Sequence, residues 1–254
     1  MELMQFAIEQ AIATMWNRQE EHLSMAEIAD PALVSKYHFC DAFRSMTGIS
    51  PGRFLSAIRL FTAKQLLVQT SLSVPRIPCL VGFNSLSTFT HRFSRGVGDS
   101  PARYRATSLA GRHCLSAVVS AASGPAEWPG EVTGSVTLPG FADSASLQTY
   151  VGIFRGPAFE GLPVACDVVD GLGTYTLRSV PFGDWYVRAA AVDPYPPGGQ
   201  ALLRHPRFFG AGAKVAVRAE SCVVKQDIGL HRACLLDPPI LTCLPELDNS
   251  PAFC

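Results

Sequence analysis

The sequence predicts a multidomain α + β chain. An N-terminal all-α domain of seven helices, arranged as a double helix-turn-helix, is followed by a C-terminal antiparallel β-sandwich. Three observations predict it. First, residues 34–54 (VSKYHFCDAFRSMTGISPGRF) recur at an offset of 50 as residues 84–104 (NSLSTFTHRFSRGVGDSPARY), with seven of 21 columns identical and a closing aromatic pair, Phe54/Tyr104. Two copies are too few for a solenoid, so the repeat is a duplicated small unit. Second, residues 1–112 hold 6 Gly and 5 Pro, whereas residues 113–254 hold 15 and 14, so turn-forming residues concentrate in the second part. Third, apolar positions recur at helical spacing in the first part and alternate in the second.

Taken in order, the first helix covers about 2–17, with Met4, Ile8, Ile12, Met15 and Trp16 on one face as a core stripe. Ser24 and Glu27 form a capping box that opens a short helix at 25–30, which Pro31 and Ala32 end. Ser35 caps a helix at 36–47 and Gly48 stops it. Ser50 and Pro51 open a long helix at 51–69. The cycle then repeats. Ser73 starts a short helix, Gly82-Phe83-Asn84 makes the turn, Ser85 caps a helix at 86–95, and Ser100-Pro101 opens the last one. Short helix, tight turn and second helix make a helix-turn-helix unit, here present twice. Phe39 and Phe43, like Phe89 and Phe93, lie at i,i+4 and face inward. The opposite faces carry Lys36, Tyr37, Cys40, Asp41 and Arg44, and then Leu86, Ser87, Thr90, His91 and Ser94.

Charge singles out the same region. The whole chain has net charge zero, but residues 40–112 carry ten basic residues against Asp41 and Asp99. A basic segment built around two exposed helix faces suits a phosphate-bearing duplex. No run of 18 apolar residues marks a membrane span and the N-terminus lacks a basic leader, so no membrane partner and a cytoplasmic location are expected.

These residues resemble a known family. S-K-Y-H-F at 35–39, F-R-S-M-T-G-I-S-P at 43–51, R-L-F-T-A-K-Q-L-L at 59–67, V-G-F at 81–83, S-T-F-T-H-R-F at 87–93 and G-D-S-P-A-R-Y-R at 98–105 are similar to the DNA-binding domain of the AraC/XylS transcription regulators. The resemblance implies that one chain lays two recognition helices, about 36–47 and 86–95, into successive major-groove segments of double-stranded DNA. It places Tyr37, Cys40 and Asp41 at bases in the first segment, and Leu86, Ser87, Thr88 and His91 in the second. Arg44, Arg92 and Arg95 would hold phosphates; Ser35, Lys36 and Ser85 at the helix starts complete the DNA-binding set.

Three positions depart from the family pattern. Asp41 stands where relatives often carry a base-reading Arg; an acid can accept from cytosine N4 but repels phosphate. Leu86 offers only apolar contact. Pro78, with Pro75 nearby, falls in the second short helix and is expected to distort that unit.

A linker is expected at 111–130 and the second domain at 131–254. Candidate strands are 132–138, 148–154, 164–169, 174–179, 184–192, 214–220 and 223–229. The run G-T-Y-T-L-R-S-V-P-F-G-D-W-Y-V at 173–187 is similar to prealbumin-like and carboxypeptidase-regulatory-like sandwiches. The segment 193–213 reads as a long loop in which Tyr195, Arg204, Arg207, Phe208 and Phe209 would line a ligand or partner site. The tail from 231 reads as an extended arm. No catalytic constellation, metal box or cofactor motif is found: the eight cysteines are scattered, and Cys222, Cys234 and Cys243 lack close zinc-ligand spacing.

The expected function is therefore a sequence-specific DNA-binding transcription regulator. Its C-terminal domain would sense a small-molecule effector or form a homodimer, and RNA polymerase would be a partner if the chain is an activator. Two alternatives stand beside it: a non-sensing architectural or dimerisation module on a DNA-binding protein, and a DNA-alkyl-accepting repair protein using Cys40.

Overall fold

The computed structural model describes residues 2–29, 34–109, 128–140, 147–192 and 206–242. The chain divides into two compact units. One joins Met1–Ala110 with two short segments from the later chain, Ala158–Glu160 and Cys234–Thr242; the rest forms the other. No helix among the described residues is long and apolar enough to cross a membrane.

The helical unit contains α1 (Glu2–Asn17), α2 (Met25–Ala29), α3 (Lys36–Thr47), α4 (Pro51–Gln69), a 3₁₀ turn at Val74–Arg76, α5 (Ile77–Leu80), α6 (Leu86–Val97) and α7 (Pro101–Leu109). The stripe on α1 is the buried face: Ile8, Ile12 and Met15 have no exposed surface. They meet Phe39, Phe43, Phe54 and Ile58 in one core. The capping box closes both ways, Glu27 N–H to Ser24 Oγ (3.2 Å) and Ser24 N–H to Glu27 Oε2 (2.9 Å). Hydrogen bonding from Ser24 to the ionised carboxylate holds Glu27 below its ordinary pKa.

Pro78 does not break a helix. It occupies the first turn of the four-residue α5, where no intrahelical N–H bond is lost, and its carbonyl accepts from Val81 and Phe83. Pro78 is thus accommodated within the short helix, and the turn before it that carries Pro75 is 3₁₀ rather than α. Gly82 follows, at φ 78°. A Cβ there would stand 2.5 Å from Gln19 O and 2.9 Å from the Arg59 guanidinium. That guanidinium in turn binds Gln19 O and Glu21 O, both at 2.7 Å, and so ties the α1–α2 link to α4.

Two later segments finish this unit. Ala158 joins the α1–α4 core, with Leu236 packed against it. Phe159 O accepts from Leu241 N–H (3.0 Å) and Thr242 N–H (3.3 Å), so the segments hold each other. Lys64 on α4 is 3% exposed and donates to Leu241 O (2.7 Å) and Ile240 O (3.4 Å). A buried ammonium needs such partners, because an unpaired buried charge is strongly destabilising. Of the expected arm, His231 and Arg232 end the last strand and Cys234–Thr242 are part of the helical fold.

Among the described residues, the other unit forms an eight-stranded sheet: β1 (Gly130–Thr137), β2 (Gln148–Phe154), β3 (Ala165–Asp170), β4 (Thr174–Val180), β5 (Gly183–Val192), β6 (Phe208–Val217), β7 (Val223–Lys225) and β8 (Ile228–Arg232). Neighbours run β3-β2-β5-β6-β8-β1-β4, with β7 beside β1. Most pairs are antiparallel, but β1 pairs in parallel with β7 and β8. The path nearly closes: Asp167 on β3, at one end, accepts from Thr176 N–H on β4, at the other (2.8 Å). The sheet is therefore barrel- or sandwich-like and not specifically prealbumin-like. Its core includes Val132, Val151, Tyr175, Trp185, Val187 and Val217. On the other face of β5, the buried Arg188 donates to Pro157 O (2.7 Å), Val187 O and Gly212 O, and burial lowers its pKa to about 10, which leaves it charged at neutral pH.

Two variants test the helical fold. Gly82→Ala should destabilise the protein by about 1–3 kcal/mol in denaturant unfolding, since a side chain is strained at this φ and crowded by Gln19 O. An unchanged midpoint would contradict the close packing of this turn. Because the Glu27 pKa is lowered on folding, its contribution should be complete above the ordinary glutamate pKa and fade as pH falls through the lowered one. A pH series of unfolding midpoints should show a smaller acid loss in Glu27→Gln than in wild type, the remainder coming from other carboxylates held low, such as Glu21, Asp184 and Asp227.

Candidate nucleic-acid interface

α3 and α6 are built alike. Ser35 Oγ accepts from His38 N–H (3.3 Å), and Ser85 Oγ accepts from Thr88 N–H (3.2 Å). Each helix ends at a left-handed glycine, Gly48 (φ 78°) or Gly98 (φ 99°), whose N–H bonds Arg44 O or Ser94 O. Beneath α3, Phe39 packs on Phe43 at 5.7 Å and Phe43 on Phe54 at 5.5 Å between ring centroids. Beneath α6, Phe89 packs on Phe93 at 5.5 Å and Phe93 on Tyr104 at 5.7 Å. The six rings are buried, so each helix turns its other face outward.

On α3, Lys36, Tyr37, Asp41 and Arg44 are exposed, with Tyr37 at 84%. Cys40 is half-buried and packs against the core. Asp41 makes no ion pair among the described residues, so its carboxylate is available to a donor such as cytosine N4. On α6, Leu86, Ser87, Thr88, His91, Arg92 and Arg95 are exposed. Ser87, Thr90, His91, Ser94 and Arg95 line a shallow concavity along that helix. The Thr88 side chain is engaged locally, bonded to Ser85 Oγ at 2.8 Å, and Arg92 reaches Ser56 Oγ on α4 at 3.3 Å.

A cleft of about 800 Å³ adjoins this face. The start of α4 (Ser50, Gly52, Arg53), the side of α6 (His91, Arg92, Arg95), Glu160 and Leu241 are among its lining residues. Arg53 was absent from the residues expected to touch DNA. It is identical in both repeat copies, is exposed and pairs with Glu160.

Residues 208–213 of the loop expected at 193–213 are strand instead. Phe208 and Phe209 lie in β6 and are buried, Phe208 within the sheet core. Arg207 is exposed just before the strand and donates its N–H to Ala191 O (2.8 Å). Tyr195 and Arg204 lie outside the described residues.

A family model described as a helix-turn-helix domain matches residues 28–107. Those residues run from the end of α2 into α7 and so include both capped helices. The N-terminal unit carries a helix-turn-helix domain of the AraC type. Its region is 36% identical over 93 residues to a probable transcriptional regulator, LumQ, of Photobacterium leiognathi, covering 35% of this chain and 38% of that protein. It is 31% identical over 88 residues to the bifunctional transcriptional activator/DNA repair enzyme AdaA of Bacillus subtilis, covering 35% and 42%. A solved AraC-type transcriptional regulator from Chromobacterium violaceum is 31% identical, with a TM-score of 0.39, covering 41% of this chain and 93% of that one. The chain thus spans about two fifths of the length of these curated relatives.

Within the AraC-type domain, the Ser85 cap fixes where α6 begins. Ser85→Ala should lower stability by about 1 kcal/mol, read as a shift in urea midpoint. An unshifted midpoint would remove the cap from the account.

Proposed function

We propose that the chain is a sequence-specific DNA-binding transcription regulator that inserts α3 and α6 into successive major-groove segments about 10 bp apart. The observation that carries this reading is the pair of equally capped, equally supported helices with unlike exposed faces. Equal supports make two readers, and unlike faces make each read its own bases. Tyr37 and Asp41 serve the first segment; Leu86, Ser87 and His91 serve the second. Lys36, Arg44, Arg92 and Arg95 offer cations to phosphates, and the starts of α3 and α6 offer free backbone N–H groups with no acid in their first turns.

The β unit takes the second part of the role, as effector sensor or dimerisation surface. RNA polymerase is the partner if the chain activates transcription, and a cytoplasmic location goes with that work. The packing of Cys40 against the core disfavours the alkyl-acceptor alternative, which needs an accessible thiol in an electropositive setting.

Selection of binding sites from random duplexes by the purified full chain tests the reading. Two conserved segments should be recovered. His91→Ala should cost about 1–3 kcal/mol and relax only the second, whereas Tyr37→Ala should relax only the first. Recovery of a single segment, or relaxation of both by either variant, would sink the bipartite assignment.

A further inference from the structure

The two repeat copies differ at the start of the helix after the reader. In the second copy, Ser100 Oγ accepts from Arg103 N–H (3.3 Å), and Arg103 pairs with Asp99 four residues back (3.3 Å). In the first copy, Ser50 makes no side-chain cap bond, and the column of Asp99 is occupied by Ile49. The start of α4 is therefore left without a local acid or a side-chain cap. Arg53 instead takes a carboxylate from 107 residues away, that of Glu160. Around it the cleft carries His91, Arg92 and Arg95, and among the described residues Glu160 is the only acid lining it.

Free helix N-terminal amides beside an arginine are a setting for an oxyanion. Here a carboxylate already pairs with the arginine, delivered by a segment that Phe159 locks to Leu241 and Thr242. Leu241 is 2% exposed and lies where a Cβ on Gly96 of α6 would be 3.1 Å from its Cδ1. The carboxylate is thus held by a packed strap. The same cleft shares His91 and Arg95 with the exposed face of α6.

We infer that the Arg53 cleft is a contact site for a DNA backbone phosphate, and that Glu160 occupies it as an internal phosphate mimic that restrains DNA binding. This rests on the DNA-binding reading above. DNA must displace Glu160 from Arg53 to use the site. The β2–β3 connection carries Glu160, and the strap continues from β8, so the restraint is covalently continuous with the sheet unit.

The test compares wild type with Glu160→Gln and Glu160→Ala as full chains on a selected duplex, by fluorescence anisotropy over a salt series. Removing the carboxylate should tighten binding roughly two- to five-fold, the range of an exposed ion pair. It should also steepen the slope of log K against log salt by about one, the mark of one more phosphate neutralised. Arg53→Gln should weaken binding and, combined with Glu160→Gln, abolish the gain. Equal or weaker binding by both Glu160 variants, or a gain that persists without Arg53, would overturn the inference. If wild type and variants alike bind no selected duplex, the DNA-binding reading itself fails. Unfolding midpoints of the variants, expected at the wild-type value, separate these outcomes from misfolding.

Discussion

Everything proposed for the helical unit depends on one repeated packing constraint, the aromatic stack beneath each reader. Phe39, Phe43 and Phe54 in the first copy, and Phe89, Phe93 and Tyr104 in the second, meet at centroid distances within 0.2 Å of one another, with the first pair tilted by 50° in both. Two rings at i,i+4 define one face of a helix, and the third, eleven residues on, clamps that face to the next helix. With the inner face fixed this way, the outward positions follow. The serine cap and left-handed glycine then set where each helix starts and stops.

What the copies do not share would carry the proposed specificity and restraint. Outside the stack, one reader presents Tyr37 and Asp41, the other His91 and Arg95. The helix starts that follow also diverge. Asp99 satisfies Arg103 locally, whereas Ile49 leaves Arg53 to a distant acid. A duplicated scaffold thus frees single positions for unequal tasks while the packing beneath stays constant.

Legibility in the sequence followed the range of the interaction. Caps, turns and the aromatic spacing are local, so Ser24-Glu27, Ser35, Gly48 and Ser85 could be read directly, whereas the helix expected to end at 95 runs on to Val97. Pro78 could not, because a helix-interior and a first-turn proline differ only by where a four-residue helix begins. The start of β6 was missed because Gly210 and Gly212 look like loop residues. Gly210 is in fact required by close packing, since a Cβ there would lie 2.5 Å from Ile228 Cγ2. The parallel pairing of β1 with β8 and the strap across the helical unit join residues up to 177 apart. No periodicity reports such contacts. The outward residues of the candidate interface were legible as a face, and Arg53 was hidden by its identity in both copies.

Spacing dependence tests the central claim, that two readers held by equivalent stacks engage one duplex together, more directly than any single substitution. Once the two segments are known, binding of the full chain should be measured on duplexes with about half a turn, roughly 5 bp, inserted between them, and with a full turn of about 10 bp inserted. The rigid scaffold predicts marked weakening with the half-turn insertion, because the second segment rotates to the far side of the duplex. It predicts only partial recovery with the full turn, because the segments are then too far apart. Affinity that is indifferent to both insertions would contradict the account.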